Sequence, residues 1–446
     1  MRYDVVVRSR RAVLPQGEVG AALAVKDGRI AAVDAYDARL KADREEDLGA
    51  VALLPGLVDT HVHVNEPGPA GFAAATAEAA AGGVTTILDT PVGAAPLTVS
   101  GEALAEKRAA ADGQCAVDVG FWGGVVPGNL AELARLYSAG VFGFKCFLAR
   151  CASAEIVSLD GGMPPLTNAE LRAALAQLAA LGPDTLLAVH AEDAGEIGQT
   201  SGNSYPAFLA SRPPRAERRA IEKVVAAATA AGARAHIANL SAAECVALIA
   251  GAKAAGIAIT AETCPHYLFF AAEEIRDGAT QFKCCPPIRD AINRETLWRG
   301  LEGGTIDCVV SGHSPGPTGL KGPAGDFAAA RGGISSLQLS LPVVWTVARR
   351  RRHRLHDVAC WMAERPAALA GLRRKGRLAV GSDADLVAFD PDAAFSVRAA
   401  TMPHRHPVTP YEGRVLVGVV RRVWLRGEPI AADTARRGRL ISRGAP

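Results

Sequence analysis

The sequence predicts an α/β fold, a (β/α)8 barrel of the TIM type with a small composite β-sandwich domain formed from both ends of the chain. Three observations support this prediction. Short apolar runs alternate with longer helical segments through the middle of the chain, both ends carry short apolar runs that are typical of strands, and 446 residues are enough for a large core and an accessory domain.

The two ends of the chain have the character of β structure. Ala21–Val25 and Ile30–Val33 are apolar runs joined through Asp27 and Gly28, and Asp-Gly is a strong hairpin signal. Near the other end, Leu386–Phe389 and the stretch from Val415 to Leu425 are also apolar. Neither end has enough apolar surface to fold alone, so we predict that residues 1–54 and 373–446 combine into one domain.

We predict that the middle of the chain, residues 55–372, forms the barrel. Helical segments such as Ala169–Leu181, Arg215–Ala231 and Ala242–Ala255 lie between apolar runs. The predicted strands are Leu57–Val64, Val84–Thr90, Ala116–Trp122, Val141–Leu148, Thr185–His190, Ala235–Ser241, Ile257–Thr263 and Ile306–Ser311. A doubly wound sheet gives a similar alternation, but the count of eight and the polar residues at the strand ends favour the barrel.

Composition and charge exclude several classes of protein. Hydrophobic residues make up 49% and charged residues 21%, which excludes global disorder. Forty-nine Lys and Arg against 46 Asp and Glu leave a net charge of +3, too small to indicate a nucleic-acid partner. No apolar run has the length of a membrane helix, and nine cysteines lack a C-x-x-C pair. We therefore expect a cytoplasmic protein without a membrane partner.

Histidine and lysine side chains follow several predicted strands. His61 and His63 are two residues apart, so on a strand both imidazoles face the same side and can bind one ion. Lys145 lies in an apolar strand, where an ammonium group must be paired, be neutral, be modified, or reach water at the strand end. A neutral amine can take up carbon dioxide and become a carbamate that bridges two cations. His190 ends the fifth strand in the same way.

Eight segments make the chain resemble the cyclic amidohydrolases, and among them the allantoinases more than the dihydroorotases and hydantoinases. They follow the family order through nearly the whole chain. The segments are 55–68, 82–86, 143–148, 262–268, 283–284 with 286–289, 306–311, 332–334 and 404–406. Asn65 stands where dihydroorotases usually have Arg, which favours the allantoinases.

The resemblance implies a metal-dependent hydrolase that opens a ring C–N amide bond in a small cyclic ureide or amide, as in purine catabolism. It implies one or two ions of zinc or another divalent metal. His61, His63 and carboxylated Lys145 would hold one ion, and Lys145 and His190 the second. The resemblance also implies a homo-oligomer, either a tetramer or a dimer.

We assign substrate contacts to three further residues, Asn65, Cys285 and Arg289. Cys285 has an alternative explanation as a buried, small apolar residue.

Two positions depart from the family at its chemical centre. Asn239 stands where a His normally binds the second metal, and Gly312 where an Asp binds the first metal and acts as general acid and base. General acid–base catalysis contributes about 10²–10⁴-fold. We expect His236, three residues before Asn239, to lie on the opposite face of its strand, and we consider His313 as a substitute proton carrier.

Three hypotheses follow from this incomplete site. The first is an allantoinase-like hydrolase that still works through a reduced or rebuilt metal site and opens a cyclic ureide, hydantoin or imide. The second is a repurposed mononuclear enzyme that catalyses cyclisation or acts on a specialised metabolite, and the third is a structural or regulatory relative without catalysis. Restoring both residues, Gly312→Asp with Asn239→His, would recover ring opening if the pocket still accepts the substrate.

Overall fold

The computed structural model describes residues 2–64, 68–92, 96–150, 162–322, 325–402, 406–430 and 436–444. Its strands are β1 Tyr3–Leu14, β2 Gly17–Lys26, β3 Arg29–Ala35, β4 Ala42–Asp47, β5 Ala52–Pro55, β6 Leu57–Val62, β7 Val84–Asp89, β8 Asp118–Phe121, β9 Gly123–Gly124, β10 Phe144–Phe147, β11 Leu186–His190, β12 Arg234–Ala238, β13 Ile259–Thr263, β14 Cys308–Val309, β15 Leu386–Ser396, β16 Val415–Leu425 and β17 Glu428–Ile430.

The helices lie mainly between the strands of the middle section. They are α1 Pro69–Ala81, α2 Gly101–Ala111, α3 Leu133–Ser138, α4 Asn168–Leu181, α5 Tyr205–Ser211, α6 Pro214–Ala231, α7 Cys245–Ala254, α8 Pro265–Phe269, α9 Ala291–Glu302, α10 Ser340–Arg350, α11 Leu355–Ala359 and α12 Arg365–Leu369. None of the helices in these described ranges combines the length and the apolar character needed to span a bilayer.

Parallel strands form the predicted barrel. β6, β7 and β8 make one sheet, and β9 to β14 make another in chain order. β8 and β9 are two parts of one extended strand, which is interrupted at Trp122 and pairs first with β7 and then with β10. A parallel bridge between Val62 and His313 joins the first strand to the segment after β14 and closes the ring. The eight predicted strands are therefore all present.

A separate mixed sheet joins the two ends of the chain, in the order β17-β16-β15-β5-β1-β2-β3, with β4 paired to β1. The predicted hairpin connects β2 and β3, and both Asp27 and Gly28 have positive φ angles of 51° and 76°. These angles suit the primed turns that Asp-Gly favours. The predicted fold class, a barrel with a β-sandwich domain assembled from both ends, is confirmed.

Strand ends differ from the prediction where the barrel opens. β6 stops at Val62, and β14 covers only Cys308–Val309 instead of the predicted Ile306–Ser311. Residues beyond these ends follow irregular backbone, in which side chains no longer alternate strictly between two faces. This change of backbone determines which side chains reach the mouth of the barrel.

Candidate active site

A cavity of about 160 Å³ lies at the carboxyl ends of the barrel strands. All four residues that the sequence predicts as metal ligands line it, together with Asn239 and Cys285. The predicted ligands are His61, His63, Lys145 and His190. This is the end of the barrel where such folds place their catalytic groups.

Three of the predicted ligands converge on one point. Lys145 Nζ lies 2.5 Å from His61 Nε2, and His63 Nε2 lies 3.3 Å from the same atom. His61 and Lys145 are buried, and His63 is half-buried at the cavity wall. The two imidazoles and the amine therefore direct their nitrogen atoms into a common space.

Glu262, on β13, fixes the orientation of His61. Its Oε1 atom forms a hydrogen bond with His61 Nδ1, and both side chains are buried. Burial, together with the charge of Lys145, lowers the pKa of His61 to about 4, so the ring is neutral at pH 7. Because a carboxylate only accepts hydrogen bonds, the ring proton lies on Nδ1 and the Nε2 lone pair faces Lys145 and the cavity.

Thr90 supports His63 in a similar way. Thr90 Oγ1 lies 2.9 Å from His63 Nδ1, just beyond the end of β7. Burial, reinforced by Lys145, holds the pKa of His63 well below its usual value. A proton on Nδ1 would be donated to Thr90, and Nε2 would then present its lone pair to the same space as His61 Nε2.

His190 is oriented by a buried ion pair. Its Nε2 atom lies 2.8 Å from Glu192 Oε2, which also accepts a hydrogen bond of 2.7 Å from Arg212. Burial alone would raise the pKa of Glu192, but Arg212 and His190 outweigh it and lower the value to about 2. The proton that Nε2 donates to this carboxylate leaves the ring lone pair on Nδ1.

Asn239 is the residue at which the resemblance leads us to expect a His. It lies one residue beyond β12 with φ 44°, lines the cavity, and donates from Nδ2 to the Cys285 carbonyl at 3.0 Å. The expectation that His236 lies on the opposite face is wrong. His236 Nε2 is 3.0 Å from Glu262 Oε2 inside the barrel, because the left-handed backbone at Asn239 breaks the alternation of the strand.

Gly312 lines the cavity and has no side chain to place in it. An ideal Cβ atom there would lie 2.8 Å from Cys264 Sγ and 3.8 Å from His266 Cε1. His266 is a cavity-lining imidazole, and burial lowers its pKa to about 3. The ring next to Gly312 is therefore neutral at pH 7 and takes up protons poorly.

The structure does not place His313 in the cavity, so its predicted role as a proton carrier is wrong for this geometry. His313 is fully buried behind the barrel wall. Its Nδ1 accepts hydrogen bonds from the backbone N–H groups of Ser336 and Leu337, and its Nε2 lies 3.6 Å from Glu78. Since Gly312 faces the cavity, the next residue points away from it.

The predicted substrate contacts have different outcomes. Cys285 lines the cavity. Arg289 does not, and this assignment is corrected, because its buried guanidinium pairs with Glu217 at 2.6 Å. Asn65 lies outside the described residues.

Three important residues were missed in the sequence. Glu262 lies in the segment 262–268 that carries the family resemblance, and Glu192 follows His190 by two residues on the same face of the chain. Both positions could have been found as carboxylates next to a predicted ligand. Arg212 is 20 residues from its partner Glu192, and no local pattern predicts that pairing.

A second group of ligand-type side chains forms the floor below the cavity. His236, Glu262 and Cys308 have ligand atoms within 4.8 Å of one another and are all buried. Both oxygens of Glu262 already accept hydrogen bonds from histidine rings. We therefore assign Glu262 and His236 to the support of His61.

The residues that meet in the cavity fit a divalent metal. Two neutral imidazoles aim their nitrogen lone pairs at one space, and a third imidazole and an amine border it. Nitrogen donors of this kind suit zinc, and carboxylation of Lys145 would add oxygen donors between two ions.

Comparison with known proteins gives a consistent picture. The model of the amidohydrolase family matches residues 52–430. An allantoinase from Streptomyces avermitilis is 50% identical over 450 residues, covering 99% of each chain. An allantoinase from Arabidopsis thaliana is 40% identical, covering 96% of this chain and 88% of its own. The solved structure of L-hydantoinase (dihydropyrimidinase) from Arthrobacter aurescens has a TM-score of 0.90 at 31% identity, covering 99% of this chain and 100% of that one.

Proposed function

The chain belongs to the amidohydrolase family, and we propose that it hydrolyses a C–N amide bond in the ring of a small cyclic ureide, in a metal-dependent reaction. Its allantoinase and hydantoinase relatives indicate a hydrolase that acts on C–N bonds of cyclic amides. The names of the similar sequences make allantoin the first substrate to test.

The observation that carries this proposal is the convergence of His61, His63 and Lys145 at the mouth of the barrel. The Nε2 atoms of the two rings are 3.3 Å apart, and Lys145 Nζ is 2.5 Å from one of them. Zinc or another divalent ion, with carbon dioxide bound to Lys145, supplies Lewis-acid activation of water and of a ring carbonyl. Glu262, Thr90 and Glu192 orient the side chains that would hold the metal.

The cavity suits a small, flat and polar ring. Its volume of about 160 Å³ leaves room for one such molecule. Phe147 and Met163 offer apolar contact, while Ser314, Arg331 and the Gly332–Gly333 segment offer polar groups. A ureide presents both N–H groups and carbonyl oxygens, and this mixture of walls can bind both.

Gly312 determines how fast such a reaction can run. Hydrolysis adds water across the ring C–N bond, so one proton must reach the leaving nitrogen while a carboxylate forms on the other fragment. At the Asp position Gly312 has no side chain to move that proton, and His266 beside it is neutral with a pKa of about 3. We infer a turnover reduced by about 10²–10⁴-fold relative to a site with a working acid–base group.

The missing Asp side chain at Gly312 also supports a second candidate function, a mononuclear enzyme that acts on a ureide whose leaving nitrogen needs little proton assistance.

The homo-oligomer that the resemblance implies is a further part of the proposal, and light scattering measures it.

The test is ring opening by protein reconstituted with zinc or manganese in bicarbonate, measured as acid released from allantoin, hydantoin and dihydrouracil. We expect slow, metal-dependent opening of at least one of these rings. Lys145→Met should abolish it, whereas Lys253→Met, which changes a lysine paired with Asp307 outside the cavity, should not. Metal-loaded protein that opens none of the rings would refute the proposed function.

A further inference from the structure

The side-chain oxygen of Asn239 lacks a hydrogen-bond partner in the described part of the chain, although its amide nitrogen has one. Asn239 Oδ1 is buried, and no partner for it exists among the residues that the structure describes. The same residue lines the cavity that Lys145 and His190 also line. A buried carbonyl oxygen without a partner costs free energy, so this atom requires an explanation.

The amide of Asn239 has a fixed orientation. Its Nδ2 atom donates to the backbone carbonyl of Cys285 at 3.0 Å. A flipped amide would place Oδ1 against that carbonyl oxygen, and two acceptors repel each other. The oxygen is therefore held on the side of the amide that is turned away from Cys285.

The backbone around Asn239 is also fixed. Its φ angle of 44° lies in the left-handed region, and its N–H donates to Glu262 Oε1 at 3.3 Å. A left-handed backbone favours both Gly and Asn, so conformation alone explains why Asn is tolerated here. Conformation does not explain an oriented amide with an unpartnered oxygen at the edge of the cavity.

We propose that Asn239 Oδ1 is a ligand of the second metal ion, together with carboxylated Lys145 and His190, and that this oxygen shifts the position toward manganese. The inference rests on the metal dependence in the proposed function. His61 and His63 give the first position two imidazole nitrogens. The second position has one imidazole and two kinds of oxygen donor.

Donor chemistry gives the two positions different preferences. Imidazole nitrogens suit zinc, whereas carbonyl and carboxylate oxygens suit manganese. A His at position 239 would make the second position resemble the first and favour zinc at both. The exchange of His for Asn therefore predicts a centre that holds zinc in one position and manganese in the other.

The test uses the full chain, stripped of metal and then supplied in bicarbonate with one equivalent of zinc followed by manganese. Elemental mass spectrometry counts the bound ions, and electron paramagnetic resonance reports bound manganese. We expect one zinc and one manganese per chain. Asn239→Gly, which suits the left-handed backbone, should keep the zinc and weaken manganese binding by about tenfold or more.

Three further variants make this test specific. Asn239→His should take a second zinc in place of manganese, and Asn239→Asp should keep manganese through a carboxylate oxygen. Asn129→Ala, which removes a half-buried asparagine whose amide bonds to Val126, Val99 and Gly124, should bind metal like the unaltered chain. Circular dichroism confirms that each variant is folded.

The inference is overturned if Asn239→Gly binds both ions as the unaltered chain does, or if Asn239→His leaves the manganese in place. These outcomes are separate from the proposed function. Ring opening by an Asn239→Gly variant that retains both ions refutes the ligand role alone, and metal binding that follows the expected pattern without any ring opening refutes the function alone.

Discussion

At the scale of single residues, Gly312 shows why the site cannot be restored by replacing one side chain. Its φ angle is 56°, and an added Cβ would lie 2.8 Å from Cys264 Sγ. We expect Gly312→Asp alone to lower the free energy of unfolding by about 1–3 kcal/mol, through backbone strain and this contact, without a gain in bound metal. Urea unfolding and metal analysis of the purified variant measure both effects.

The strain at Gly312 has a specific remedy. Cys264→Ala removes the sulfur that an added Cβ would meet, so the double variant with Gly312→Asp should be more stable than the sum of the two single changes. Cys264→Ala alone is the control for loss of a buried thiol. A Gly312→Asp variant as stable as the unaltered chain would show that the loop can shift, and it would contradict this prediction.

Residue patterns in the sequence predict part of the site. His61 and His63 could be assigned to one face because two residues on a strand share a side, and both line the cavity. The same rule fails for His236, because Asn239, three residues further on, has a left-handed backbone that no sequence pattern predicts. It holds for His313, which points away from the cavity because its neighbour Gly312 faces it.

At the scale of secondary-structure elements, a buried ion pair holds the loop that carries Asn239. Glu217, on α6, accepts from the backbone N–H groups of Ser241 and Ala242 and pairs with Arg289. Arg289→Met leaves a buried carboxylate without its partner. We expect it to lower the free energy of unfolding by about 3–5 kcal/mol, measured by urea denaturation.

The pH dependence of this variant follows from the Glu217 carboxyl. Burial raises the pKa of Glu217, and Arg289 offsets part of that rise. Without Arg289 the pKa rises further, so acid protonates the carboxyl in the folded protein and removes the unpaired charge. The loss of stability should therefore be smaller at pH 5 than at pH 8.

The control lies on the same helix. Arg218→Met removes an exposed pair with Glu222 and should cost about 0.3–0.5 kcal/mol at both pH values. An Arg289→Met variant with unaltered stability and a raised KM would instead restore the substrate-binding role that the sequence suggested.

At the scale of the whole molecule, the sequence pattern predicts the architecture better than the connections within it. Eight apolar runs with intervening helices are enough to predict the barrel, and strand signals at both ends predict the second sheet. The attachment between them depends on Asp118, Lys375 and Asp385, which are far apart in the chain or lie outside any periodic pattern. Sequence spacing carries no information on such tertiary pairs.

Lys375 provides the last prediction, because it joins the barrel to the β domain at the amino ends of the strands. Its Nζ atom lies 2.7 Å from Asp118, at the start of β8, and 2.6 Å from Asp385, next to β15. Burial alone would lower the pKa of Lys375, but the carboxylates of Asp385 and Asp118 outweigh it and raise that pKa, so the ammonium stays charged.

Lys375→Met leaves the buried Asp385 carboxylate without its cation, while Asp118 keeps Arg426, and we expect a loss of about 3–5 kcal/mol in the free energy of unfolding. Lys26→Met is the matched control, because it removes a partly exposed ion pair with Asp4, and exposed pairs contribute little to stability. Urea unfolding followed by circular dichroism measures both variants. Since the cavity lies at the opposite end of the barrel, metal content should be unchanged, and a Lys375→Met variant as stable as the Lys26→Met control would show that packing alone holds the two domains together.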